Sequence, residues 1–102
     1  MQTSAEPTKL AHVTVRLFTA LRAIAGEDET QIEARDVGGA LTTLADKYGS
    51  EFKESLFDPQ GKIDLRFYRI FLNKDVLTPQ RGLETPLHDG DLLQIFPPVV
   101  GG

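Results

Sequence analysis

The chain has 102 residues, 40% of them apolar and 25% charged, with 11 basic against 15 acidic side chains and a formal net charge of −4. A chain of that length forms one small domain burying roughly 65% of its unfolded surface, which leaves no room for a large internal active site. The acidic balance argues against nucleic acid or anionic membrane as the main partner and suits docking on a basic cleft, while the absence of cysteine excludes disulfides, thiol nucleophiles, thiolate zinc sites and iron–sulfur clusters.

Met1 to Ala11 reads as a polar, disordered lead without the apolar core of a secretory signal. No run approaches the ~18–20 apolar residues of a membrane span, so the expected location is the cytoplasm. A first strand is predicted over His12–Phe18, where Val13, Val15 and Leu17 alternate with Thr14, Arg16 and Phe18. Thr19–Ala25 shifts to helical spacing, with Thr19 as N-cap and Gly26 as the stop. A short strand follows at Thr30–Ala34, with Ile32 inward.

Asp36 opens the main helix. Val37, Ala40, Leu41, Leu44, Ala45 and Tyr48 form one apolar stripe, and Gly49 stands where a left-handed C′ residue is wanted. Gly38 and Gly39 weaken the first turn and read as close packing against the sheet. They lack the spacing and the Lys-Ser/Thr of a phosphate-binding loop. Phe52, Leu56 and Phe57 anchor a short helical turn, and Asp58-Pro59-Gln60-Gly61 is turn chemistry. A central strand is expected over Phe67–Leu72, turned by Asn73-Lys74-Asp75 toward Val76 and Leu77. Pro79–Pro86 is a loop, and His88-Asp89-Gly90-Asp91 a tight turn before the last strand, Leu92–Phe96. Helices and strands do not alternate regularly, so the fold class is α+β, a mixed sheet round one helix.

Beyond Phe96 the chain reads Pro97-Pro98-Val99-Val100-Gly101-Gly102. Two prolines fix φ and force an extended departure, and the glycines carry no side chain. Six extended residues reach at most about 20 Å. Such a shape suits insertion of a terminal carboxylate into a narrow cleft of another protein. With a reference pKa of about 3.3–3.7 that group is anionic at neutral pH and able to attack the α-phosphate of ATP.

The segment Leu87-His88-Asp89-Gly90-Asp91-Leu92-Leu93-Gln94-Ile95-Phe96-Pro97-Pro98-Val99-Val100-Gly101-Gly102 closely resembles the ending of MoaD/ThiS-type sulfur carriers, especially the MoaD branch. Val13-Thr14-Val15-Arg16-Leu17-Phe18-Thr19-Ala20-Leu21-Arg22-Ala23-Ile24-Ala25-Gly26 is similar to the family's opening strand and turn. Asp36-Val37-Gly38 with Leu41, Leu44 and Tyr48 resembles its main helix. The resemblance covers roughly residues 12–102 and implies a β-grasp, ubiquitin-like fold, with about five strands round the main helix. The chain thus divides into a disordered lead over residues 1–11, a β-grasp domain over 12–96 and an extended tail over 97–102.

The resemblance further implies a carrier that is not itself an enzyme. Gly102 would be adenylated by an ATP-dependent activating enzyme and converted to a thiocarboxylate with a sulfur donor. Pro98, Val99, Val100, Gly101 and Gly102 would thread into that enzyme, and a downstream synthase or other sulfur acceptor would use the product. No cofactor is expected on the chain itself; ATP belongs to the activating partner. The segment from Ser50 to Arg66 is longer than in the shortest members, and resembles variants serving cysteine synthesis or protein modification as much as pterin synthesis. The lead before His12 has no counterpart. Alternatives are the small subunit of molybdopterin synthase, a ubiquitin-like modifier joined to lysine through Gly102, and an interaction module with an inert tail.

No catalytic or metal site of its own is visible. His12 and His88 read as surface or turn residues, and Asp89 and Asp91 as turn formers. With Leu93, Ile95, Ile70 and Leu72 assigned to the core, Phe18, Phe67, Arg69, Phe71, Leu92 and Phe96 fall on the opposite sheet face. That aromatic patch is the expected partner surface, unless the segment carrying Phe52, Leu56 and Phe57 folds over it. Arg16 and Arg69 emerge on the same side.

Overall fold

The period-two pattern of the first strand is realised over Ala11–Leu17 (β1), where Ala11, Val13, Val15 and Leu17 are buried. The computed structural model describes residues 10–63, 68–77 and 82–97. Ala11 pairs with Ala34, so the sheet starts one residue inside the expected lead. A small buried side chain and a paired backbone hold it there.

The remaining elements are α1 (Thr19–Ala25), β2 (Glu29–Ala34), α2 (Val37–Tyr48), α3 (Ser50–Leu56), β3 (Arg69–Leu72), β4 (Asp75–Val76), a 3₁₀ turn at Gly82–Glu84 and β5 (Leu92–Phe96). The strands form one mixed sheet in the order β2-β1-β5-β3-β4. β1 and β5 run parallel, from Thr14 opposite Leu92 to Leu17 opposite Ile95. The other pairs are antiparallel. β5, not β3, therefore occupies the centre: β5 needs a partner on each edge, and the described part of β3 has only two-residue β4 beyond it. This is the expected β-grasp.

One face of the sheet makes the core. Val15, Leu17, Ile70, Leu93 and Ile95 pack with Val37, Leu41 and Leu44 of α2, Leu21 of α1, and Phe52 and Leu56 of α3, all nearly inaccessible to water. Each such side chain contributes about 1.5–3 kcal/mol relative to exposure. Phe52 and Leu56 are spent on this inner side, so α3 does not cover the outer sheet face.

The helix ends follow from residue type, with three differences. Asp36 caps α2 through Oδ1, which accepts from the Gly39 N–H at 2.7 Å. A Cβ on Gly38 would stand 3.2 Å from the Leu83 carbonyl oxygen and 3.3 Å from Leu83 Cβ. Close packing is thus the reason for that glycine, but its neighbour is the 3₁₀ turn rather than the sheet. Gly49 has φ 95° and ψ −171°, a glycine region distinct from the left-handed helix. Its N–H donates to the Ala45 carbonyl and its own carbonyl accepts from Lys53 N–H, so one residue closes α2 and opens α3. At α1 the cap position is Phe18, extended and without a side-chain cap bond, while Thr19 itself takes φ 50°.

Turns tie the sheet together at its other end. Asp89 Oδ1 accepts from His12 N–H at 2.8 Å, and Asp91 Oδ2 from His88 N–H at 2.8 Å. Both aspartates are turn builders, as expected. Asn73, left-handed at φ 57°, accepts from Leu92 N–H through Oδ1 and donates through Nδ2 to Asp91 Oδ1, both at 3.0 Å. Losing these bonds and forcing a Cβ-bearing residue without a polar side chain into that conformation costs about 1–3 kcal/mol. Asn73→Ala is expected to lower the unfolding free energy measured in urea by that amount, with Asn73→Gly less affected because glycine accepts positive φ. An alanine variant as stable as the glycine one contradicts this.

Candidate functional site

The same alternation that buries Leu93 and Ile95 turns Leu92, Gln94 and Phe96 of β5 to the outer face, all half-buried. Register sets Arg69 opposite Phe96 and Phe71 opposite Gln94. Phe18 continues β1 on that side, its ring stacked on Phe96 with centroids 4.1 Å apart and planes 12° apart. Phe71 meets Phe96 edge-on at 5.7 Å and 84°. Offset and edge-to-face contacts of this kind add about 0.5–1.5 kcal/mol beyond burial.

The structure thus brings Phe18, Arg69, Phe71, Leu92 and Phe96 to one face, as the alternation predicts. Phe67 lies outside the described residues, and so do Pro98, Val99, Val100, Gly101 and Gly102. Val76 was missed. It sits opposite Phe71 on β4, is 46% exposed, and extends the apolar area toward the sheet edge. Pairing the strands across a two-residue Asn73-Lys74 turn, which sets position 76 opposite Phe71, is the signal that finds it.

The outer face has two halves of different character. Across β1 and β2 it is charged: Arg16 Nε lies 3.7 Å from Glu29 Oε1, and His12 Nε2 3.0 Å from Glu33 Oε2. Arg16 is therefore matched within its own chain and is a poor anchor for an acidic partner. Arg69 is exposed beside the aromatic half. His12 and His88 have side chains 74% and 80% exposed, in keeping with surface roles. Among the described residues, no group of three or more His, Cys, Asp or Glu side chains is arranged to hold a metal, and no helix is long and apolar enough to cross a membrane.

Away from this face, the Tyr48 hydroxyl donates to Glu27 Oε2 and Lys47 Nζ donates to Thr30 Oγ1. Burial first, then the bond to Glu27, pushes the Tyr48 phenol up to about 12. Burial also raises Tyr68, which donates to the Ser55 carbonyl. Neither phenol supplies a phenolate near neutral pH. Because the Tyr48 pKa is higher folded than unfolded, its share of stability is complete below pH 10, declines above it and is lost by about 12. Tyr48→Phe is expected to flatten the fall in melting temperature across that window; an unchanged fall contradicts the assignment.

A model of the ThiS family matches residues 15–102. The chain belongs to the ThiS family. It is 34% identical over 93 residues to the sulfur carrier protein CysO of Mycobacterium tuberculosis, covering 89% of this chain and 99% of that one. Among solved structures, the small archaeal modifier protein SAMP1 of Methanosarcina acetivorans superposes with a TM-score of 0.77 at 35% identity, covering 92% of this chain and 99% of that one. A chain of the BexX/CysO complex of Amycolatopsis orientalis superposes with a TM-score of 0.71 at 27% identity, covering 88% and 99%. The ThiS-family chain thus has the ubiquitin-like β-grasp fold.

Proposed function

We propose that this ThiS-family chain is a sulfur carrier that reacts through the carboxyl of Gly102 and has no catalytic site of its own. The observation that carries the reading is continuity. Family similarity runs through residue 102, and 34% identity to a sulfur carrier extends over 89% of the chain. An ATP-dependent activating enzyme takes Pro98 to Gly102 into its nucleotide site. A carboxylate oxygen of Gly102 attacks the α-phosphate, a phosphoanhydride bond breaks, and pyrophosphate leaves. Sulfide then attacks the acyl carbon, the acyl–phosphate bond breaks and AMP leaves, and loss of the sulfur's proton gives a thiocarboxylate that a downstream synthase or other acceptor consumes. ATP belongs to the activating enzyme, and the chemistry takes place in the cytoplasm.

The apolar half of the outer face, with Phe71, Leu92, Phe96 and Val76, is the surface on which the activating enzyme docks. A half-buried aromatic cluster flanked by charged residues has the composition of an interface core and its rim. A second reading is favoured by the 35% identity to a small archaeal modifier protein. In that reading the activated Gly102 is captured by a lysine amine, giving an isopeptide bond.

Incubation with an activating enzyme, ATP and a sulfide source is expected to raise the intact mass by about 16 Da, the difference between oxygen and sulfur in the terminal carboxyl. Lysine-linked conjugates without that gain support the modifier. Neither product with any such enzyme removes both readings. One residue appended after Gly102, or Gly101→Val, is expected to abolish activation with the melting temperature nearly unchanged. A large drop in melting temperature would show that the tail packs on the body. Phe71→Ser is expected to weaken binding of the activating enzyme more than it weakens folding; unchanged affinity removes the sheet face from the account.

A further inference from the structure

Phe96 is the last residue of β5, and Pro97 follows it directly. Its ring is held from two directions, by the stacked ring of Phe18 at 4.1 Å and the edge contact of Phe71 at 5.7 Å. Phe71 is placed there by the sheet. Phe18 is not a strand residue and needs a separate device. The parallel register ends with Leu17 opposite Ile95, so one more extended residue, at φ −132° and ψ 153°, sets Phe18 beside Phe96.

The chain then turns at once. Thr19 adopts φ 50°, a left-handed conformation that β-branched residues rarely occupy and that persists only where the surroundings over-determine it. Thr19 and Ala20 alone separate Phe18, on the outer face, from Leu21, fully buried on the inner side three positions after Phe18. Strain at Thr19 thus coincides with the placement of one ring on the stem of the tail. Pro97 has φ fixed near −65°, so the exit direction depends chiefly on the backbone of Phe96.

We infer that Phe18 is a positioning residue for the reaction at the C-terminus: held by the left-handed turn at Thr19, its ring clamps Phe96 and sets the direction in which Pro97 leaves the sheet. This rests on the carboxyl-activation reading above. A residue that only docks an activating enzyme acts on affinity. A clamp on the stem acts on the orientation of the reacting group once the enzyme is bound, and modest misplacement there is costly in rate.

The test measures pyrophosphate release at saturating activating enzyme and ATP, together with the affinity of the chain for that enzyme. Phe18→Ala is expected to lower the saturated rate about tenfold, a loss that saturation with the enzyme does not recover whatever the change in affinity. Phe18→Tyr, which keeps the ring, restores the rate, and Phe18→Leu, which keeps apolar bulk in the fold without the stack, behaves like alanine. Backbone ¹⁵N relaxation at Phe96 in the free protein supplies a readout that needs no enzyme: mobility there rises in the alanine and leucine variants and not in the tyrosine one. Lost affinity with the saturated rate retained, or unchanged Phe96 relaxation, overturns the clamp. If the wild-type chain is not activated at all, the carboxyl-activation reading fails, whereas the contact between Phe18 and Phe96 stands or falls on the relaxation alone.

Discussion

The parallel pairing of β1 with β5 is the constraint on which the rest depends. It joins an early segment of the chain to a late one at the middle of the sheet, with Val15 against Leu93 and Leu17 against Ile95. All four side chains are fully buried on the side of α2. A one-residue slip would turn each of them to the outer face. The register is therefore held by the hydrophobic core, and it fixes what lies outside as firmly as what lies within. Phe96 and Phe18 are neighbours because Ile95 and Leu17 are.

From that pairing follows a division of labour between the two faces. The inner face spends its side chains on α1, α2 and α3 and carries the stability of the domain. The outer face bears aromatic rings over β3 and β5, and the Arg16–Glu29 ion pair and the His12–Glu33 contact over β1 and β2. The two sets of side chains point to opposite faces of the sheet, so the proposed docking surface is separate from the packing that carries stability. On the proposed reading the domain serves chemistry by presenting its terminal carboxyl to another protein's site, and the central strand β5 runs into Pro97, where that tail begins.

Much of this was legible in residue order because the signals are local. Alternation in β1 and β5, the apolar stripe of α2, the Asp36 cap and the Gly26 stop all depend on neighbours within one or two turns. The outer face was legible for the same reason, by subtraction of the buried positions. What was not legible depends on contacts distant in sequence. Gly38 is small because of Leu83, forty-five positions away, and nothing near it announces the 3₁₀ turn. Gly49 reads as an ordinary helix stop: Phe52, Leu56 and Phe57 mark a helical turn after it, but no local signal shows that this turn begins at Ser50 and shares Gly49 as its cap. Val76 was overlooked because a two-residue strand has no period of its own. Thr19 looked like a cap by type, and its actual role as a strained turn follows from Phe18 being held on one face and Leu21 on the other.

The central claim is that the sheet presents the Gly102 carboxyl to another protein's nucleotide site through a stem anchored at Phe96. Its most direct test is the structure of this chain bound to its activating enzyme with a non-hydrolysable ATP analogue. The account predicts the Gly102 carboxylate beside the α-phosphate, with Phe71 and Val76 buried against the enzyme and Phe18 still stacked on Phe96. A complex held through α2 or α3, with Gly102 outside the nucleotide site, would contradict it.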